Sequence, residues 1–353
     1  MRTSRTVFVG LSGGVDSSVA ALRLKKQGFD VVGVFIKVWH PDFMVCNWEA
    51  ERLDAMRVAA HLEIPFLTCD AEATYRDEVA HHFISEYKAG RTPNPDVLCN
   101  KEVKFGAFLK FAKEHGADFI ATGHYVKRVE GKPAVELHRG DDDNKDQSYF
   151  LWSLTQDQLG MALFPIGDTP KEQIRNEAAQ AGIPTATKKD SQGVCFLGHI
   201  DIPEFLSHYV DLIPGDVLDT EGNVIGSHQS ALVYTLGQRH GFTLSSHDTE
   251  RSQHYVVDRS IEKNTITVSK EPVTIKNSDV ISLTAVNLRT PIEVGDVLEA
   301  QFRYRQKPFG ITILKVADTT LTVKTNEAVE KPAAGQSCVI YLGSLCLGGG
   351  IIS

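Results

Sequence analysis

The sequence predicts an α/β protein: an N-terminal parallel-sheet domain, then a small β-rich central domain, then a C-terminal β-barrel. Three observations predict it. Between Thr6 and Gly123, short apolar runs alternate with helix-length patterns, the signature of βαβ units. Beyond about Ile200 the pattern turns to short β-rich runs separated by turn residues. From Asp279 onward, five or six such runs follow one another at the spacing of a small barrel. The domains expected are 1–200, 201–276 and 277–353.

Each element has its own warrant. TVFVG reads as a buried strand and leads into a helix over 16–27, which Gly28 closes at C′. DVVGVFIKV is the next strand, a helix over 49–61 leads to PFLTCD, and a helix over 73–87 follows. A helix over 99–114 precedes the strand DFIATG, and 146–184 reads as mainly helical, with Pro170 at the first helical position of its last segment. DVLDTEGNVIG and YVVDRSIEKNTITVSK read as hairpins, and VLEAQFRYR, FGITILKVA and TLTVKT as barrel strands. In FRYRQK a strand would place Arg303, Arg305 and Lys307 on one face as a phosphate-contacting stripe, or simply as a charged surface.

Composition narrows the function classes. The chain has 353 residues, 42% hydrophobic and 23% charged, ordinary values for a soluble multi-domain protein. The start MRTSRTVFVG lacks a signal-peptide core and no apolar run reaches membrane length, so a cytoplasmic location without membrane association is expected. The net charge is −8; residues 1–199 carry 24 basic and 27 acidic side chains, and 200–353 carry 13 and 18. Neither part is broadly basic, so any nucleic-acid contact must use local patches. The six cysteines (Cys46, Cys69, Cys99, Cys195, Cys338 and Cys346) show no CxxC and no Cys/His ligand spacing, so no metal site of that kind is expected. Cys69, Cys338 and Cys346 sit in apolar strand-like runs and read as packing, while Cys46 has no assigned role. Asp141, Asp142 and Asp143 read as a solvated turn.

Two short stretches carry chemistry. Leu11-Ser12-Gly13-Gly14-Val15-Asp16-Ser17-Ser18 joins a strand to a helix, so adjacent glycines, hydroxyls and a helix N-terminus form an anion cradle. It lacks the lysine of a Walker A loop. In GRTPNPDVLCNKEVKF, Pro93 and Pro95 stiffen an extended arm that delivers Cys99 to the start of a helix, where the macrodipole favours thiolate. Taken alone, Cys99 and Cys195 would each be structural more often than catalytic.

SGGVDS resembles the PP-loop of ATP pyrophosphatases, and the first domain is expected to be adenine nucleotide α-hydrolase-like. GLSGGVDSSVAA, AGRTPNPDVLCNKEVKF, ATGHY, NKDQSYFLW, KKDSQGVCF, YTLGQRHG, RYRQ and CLGGGII together resemble the tRNA-specific 2-thiouridylases (the MnmA/TrmU family) over nearly the whole chain. The resemblance implies ATP-dependent exchange of oxygen for sulfur at C2 of the wobble uridine, position 34, of tRNAs for Lys, Glu and Gln. By that likeness Gly10, Leu11, Ser12, Gly13, Gly14, Val15, Asp16 and Ser17 hold ATP, expected with Mg²⁺, and Ile36 and Gly123 flank the adenosine. Asn94, Pro95 and Asp96 lie at the target base, with Asp96 as acid/base. His124, Lys145, Asp146, Gln147, Arg303, Tyr304 and Gln336 fall on tRNA-contacting positions. Cys195 falls on the persulfide cysteine and Cys99 on its resolving partner, the two ending as a disulfide. FIKVWH departs from the family's commoner F-M-K-N-W, so Ile36 stands where methionine is usual.

The residues are suited to that chemistry. The C2 oxygen of uracil is a poor leaving group until AMP is attached to it, and a persulfide can then attack the carbon and be resolved by a second thiol. A partner protein must supply the persulfide, as a cysteine desulfurase or sulfur-relay protein would; a monomer is expected. An amide-forming PP-loop synthetase would need no paired cysteines, and a non-catalytic RNA-binding protein would need no intact SGGVDS. Both remain alternatives on the residues alone.

Overall fold

Around a five-stranded parallel sheet, the computed structural model describes residues 4–44, 48–189, 201–245, 253–276 and 279–353. Cys46 and Cys195 lie outside the described residues. The strands are β1 (Thr6–Gly10), β2 (Asp30–Lys37), β3 (Phe66–Asp70), β4 (Phe119–Ala121) and, beyond a hairpin of β5 (Val126–Glu130) and β6 (Val135–Arg139), β7 (Ala162–Leu163). Their order is β3-β2-β1-β4-β7, all parallel. β1 is apolar along its length because helices cover both faces of the sheet. The helices are α1 (Val15–Lys26), α2 (Trp48–His61), α3 (72–88), α4 (95–114), α5 (Gln156–Gly160), α6 (Lys171–Gln180) and α7 (Ile202–Ser207). Gly28, at φ +87°, ends α1 in a Schellman motif, donating to Lys25 O while Phe29 N donates to Leu24 O.

The central sheet is formed by β8 (Gly215–Leu218), β9 (Val224–His228), β10 (Phe242–Leu244), β11 (Tyr255–Ser260) and β12 (Thr265–Ser269), in the order β10-β9-β8-β12-β11. Both predicted hairpins, β8–β9 and β11–β12, are present and antiparallel. The barrel follows a short strand, β13 (Thr274–Ile275), and comprises β14 (Val280–Leu288), β15 (Val297–Gln301), β16 (Phe309–Val316), β17 (Leu321–Thr325), β19 (Ser337–Leu342) and β20 (Leu345–Ile352), with β18 (Val329–Glu330) paired to β13 outside it. Pairing β14 with both β17 and β20 closes six antiparallel strands into a ring. The β5–β6 hairpin of the first domain attaches to β20 through Leu345 and His138.

Shared apolar clusters fuse these layers. One joins the sheet and α4 to Val339, Tyr341 and Cys346 of the barrel. Another joins α3 and α4 to Phe205, Val217, Val256, Ile266 and Val268 of the central region.

Four expectations change. α4 begins at Pro95, a turn earlier than the predicted Cys99, because Asn94 caps it by accepting from Val97 N at 3.4 Å and Pro95 has the φ of a first helical residue. The 146–184 region is not mainly helical, since it contains β7, and Pro170 precedes α6 as its cap residue instead of opening it. The Arg303–Lys307 stripe does not exist as a strand. β15 stops at Gln301, Arg305 has φ +62°, and the Gln306 amide oxygen accepts from Phe302 N and Arg303 N to close a turn. The aspartate run is a turn, but two of its carboxylates are engaged: Asp142 accepts from Lys171 N at 2.9 Å and Asp141 pairs with Lys127.

Candidate active site

The SGGVDS loop sits at the carboxyl end of β1, where open parallel sheets bind ligands. Leu11 N still donates to Val34 O at 2.8 Å, so the chain leaves the sheet only at Ser12. Gly13 takes φ +70°, and a Cβ there would come within 2.7 Å of Asp54 Cβ and 3.0 Å of Ala55 N on α2. Only glycine lets α2 press against the loop. Gly14 precedes Val15, the first residue of α1, with no side chain capping the helix. Ser17 and Ser18 instead donate back to Gly14 O, and Ser12 Oγ accepts from Gly14 N, which folds the loop around its own hydroxyls. Gly10 faces Ile36 on β2 and Phe108 on α4.

Asp16, the second residue of α1, is held on two sides. Lys171 Nζ lies 2.7 and 2.8 Å from its oxygens and the Tyr125 hydroxyl donates to it at 2.7 Å. Sequence reading missed both partners. Lys171 had a signal: a lysine opening a helix opposes the macrodipole unless an anion compensates.

The run Gly123–His124 touches both halves of the site. A Cβ on Gly123 would lie 2.7 Å from the backbone of Asp16 and Ser17, so it packs directly on the loop. His124 is buried against Phe105 of α4 and Phe164, and its Nδ1 meets Thr122 Oγ1 at 2.7 Å. Burial, with Lys104 nearby, holds the imidazole well below its usual pKa, in the neutral form. Asp96 lies on the same helix, and burial raises its carboxyl above the ordinary range against the opposing pull of Lys104. Cys99 stands one turn beyond Pro95, 4% exposed, in the apolar cluster that Ile36 also packs against. The other described cysteines are core thiols: burial pushes Cys69 up to about 11 and Cys338 up to about 12, and raises Cys346 too.

The arm before α4 joins all three layers. Thr92 N donates to Ala334 O at 2.9 Å, the Gln336 amide donates to Thr92 O at 2.7 Å, and Thr92 Oγ1 meets Thr235 Oγ1 at 3.0 Å. Arg259 of β11 donates to Gly90 O and Tyr234 O. Gln336 is therefore a brace for the arm. Asp146 is likewise tied inward, accepting from Arg139, Gly140 N and Ser148, and Gln147 accepts from Tyr125 N. Lys145 donates its backbone N–H to Asp142 O in the same turn. Arg303 pairs with Glu330 at 2.6 Å beside Gly237, and Tyr304 packs on Phe150 with ring centroids 4.5 Å apart. Cys195 lies outside the described residues, so its approach to Cys99 is not part of this geometry.

Among the described residues, no group of three or more His, Cys, Asp or Glu could hold a metal ion, and no helix is long and apolar enough to cross a membrane.

Residues 5–199 match the family model described as a tRNA methyl transferase HUP domain, 203–270 a tRNA methyl transferase PRC-barrel domain, and 285–352 an aminomethyltransferase beta-barrel domain. The tRNA-specific 2-thiouridylase MnmA of Aeromonas salmonicida is 44% identical over 352 residues, covering 98% of this chain and 96% of that one. Its namesake in Bacillus subtilis is 43% identical over 354 residues, covering 98% and 94%. A solved 4-thiouridine synthetase–RNA complex with bound ATP is 20% identical, covering 58% of this chain and 50% of that one, with a TM-score of 0.36.

Proposed function

Since this chain belongs to the tRNA-specific 2-thiouridylase family, we propose that it uses ATP to replace the C2 oxygen of uridine 34 in tRNA by sulfur. The observation that carries the reading is the Gly123–His124 run. It packs on the SGGVDS loop with one residue and on the helix bearing Asp96 and Cys99 with the next. One short segment thus keeps nucleotide and base chemistry in register. The matching domain models speak of methyl transfer, but a methyl transfer needs no adenylating loop, and the nearly full-length relatives are named for thiolation.

In this reading Gly10 to Ser17 cradle the phosphates, with Ile36 and Gly123 against the adenosine. Magnesium, expected with ATP, would neutralise phosphate charge there; the loop's carboxylate, Asp16, is paired with Lys171. Asn94, Pro95 and Asp96 receive the base, and the raised Asp96 carboxyl suits proton exchange with the ring. The uracil O2 attacks the α-phosphorus and pyrophosphate leaves. The terminal sulfur of a Cys195 persulfide then attacks C2, and AMP departs with the oxygen. Attack of the Cys99 thiolate on the inner sulfur of Cys195 releases the thiocarbonyl and leaves a Cys99–Cys195 disulfide, so the two cysteine sulfurs supply both electrons. An external thiol must reduce that disulfide before another turnover. His124, Lys145 to Gln147, Arg303, Tyr304 and Gln336 border the tRNA path. Substrate tRNAs would be those for Lys, Glu and Gln, with the persulfide delivered by a desulfurase or relay protein in the cytoplasm.

The test is mass analysis of nucleosides from wobble-uridine tRNA after incubation with the protein, ATP, Mg²⁺ and a sulfide source. Oxygen-for-sulfur exchange at uridine 34 is expected only when ATP is present. Unmodified uridine despite ATP consumption would overturn the reading.

A further inference from the structure

Lys171 breaks two ordinary rules. Lysine is rarely buried, yet this one is 9% exposed. It also opens α6, where the positive end of the helix dipole disfavours a cation. Its compensation comes from the first domain's loop: both Asp16 oxygens lie within 2.8 Å of its ammonium, with Asp142 accepting from its backbone N–H. Two helix N-termini, those of α1 and α6, are therefore joined through one ion pair whose carboxylate belongs to the anion cradle.

That placement matters if the cradle receives a polyphosphate. A bare carboxylate at the second position of α1 would repel phosphate oxygens that the loop N–H groups are meant to attract. A unit charge several ångströms away in a partly buried site changes an anion's affinity on the order of tenfold or more. We propose that Lys171 is a positioning residue of the nucleotide site, acting through Asp16: it cancels the carboxylate charge and fixes its orientation, so that the loop presents a net-attractive surface to ATP. The inference rests on the ATP reading above.

Calorimetric binding of adenosine, AMP and ATP to the full chain tests it, comparing wild type with Lys171→Met, Lys171→Arg and the double variant Asp16→Asn/Lys171→Met. Lys171→Met should weaken ATP on the order of tenfold, AMP less, and adenosine not measurably. Lys171→Arg should retain most ATP affinity, and the double variant should recover most of what Lys171→Met loses, because the uncompensated charge is gone. Equal weakening of all three ligands would show a distorted pocket and overturn the proposal. A folded double variant that binds ATP as poorly as Lys171→Met would overturn it too, since Lys171 would then act on phosphate directly. If Lys171→Met does not fold, Lys171→Gln, which keeps a donor to Asp16 without the charge, takes its place: ATP weakened more than AMP and adenosine unchanged supports the proposal, and equal weakening of all three, or none, refutes it. A wild type that binds no ATP would sink the ATP reading itself, a result told apart by silence in every variant.

Discussion

At the scale of single residues, α4 carries Asp96 at a part-buried position and Cys99 at a buried one. Burial raises the Asp96 pKa above its ordinary value of 3.8, so the folded state binds the proton more tightly than the unfolded chain does. Its contribution to stability is thus fully present below the unfolded pKa and is lost as pH rises through the folded one. Asp96→Asn should therefore raise the melting temperature at neutral pH by more than it does near pH 4, while thiolation falls. A melting shift independent of pH would contradict the assignment. Cys99→Ser should cut thiolation on the order of a thousandfold or more while ATP-dependent pyrophosphate release persists, read by separate assays of the two products. A fall in both would point to lost packing, because a hydroxyl replaces a thiol inside an apolar cluster. Residue types at this scale were readable from the sequence, and so was the core character of Cys69, Cys338 and Cys346. Their partners were not: nothing local in KEQIRNEAA says that Lys171 meets an aspartate 155 positions earlier.

At the scale of elements, glycines set how closely helices and loops approach. Gly13→Ala would combine a φ of +70° with a Cβ 2.7 Å from Asp54 Cβ, and Gly123→Ala would press on the backbone of α1. Each should cost about 1–3 kcal/mol of stability and lose ATP binding more severely than that loss alone implies. Chemical denaturation and calorimetry on the same samples check this. Strands with clean periodicity, β1 to β4 and the β8–β9 and β11–β12 hairpins, were legible in the sequence. The β5–β6 hairpin was not, because VKRVE breaks the apolar–polar alternation with adjacent charges, and its pairing with β6 and the contact of β6 with β20 hold it in place. The start of α4 was misplaced because Pro95 reads as an arm residue and as a first helical residue equally well, and only the Asn94 cap decides. Strand signal also failed at FRYRQK, where Gln306 closes a turn that alternation of Arg and Tyr conceals.

At the scale of the whole molecule, the Cys99 arm is fixed by groups that lie far away in sequence. Arg259 of the central sheet and Gln336 of the barrel together hold the carbonyls of Gly90 and Thr92. Arg259→Met should cost about 1–3 kcal/mol, from carbonyls left without donors, and slow thiolation without altering ATP affinity. Unchanged turnover would mean that the arm needs no brace. Such long-range ties are invisible to pattern reading, which explains why domain classes were legible and their mutual contacts were not. The ring of the barrel has a further consequence, for biosynthesis. β20 is made after every other strand of the ring, and until Leu345–Ile352 emerge, β14 keeps an open edge and the β5–β6 hairpin has no neighbouring strand. A nascent chain can fold its nucleotide cradle early, yet its open strand edges invite pairing with other chains, so the interval before β20 emerges is when this barrel is most exposed to aggregation.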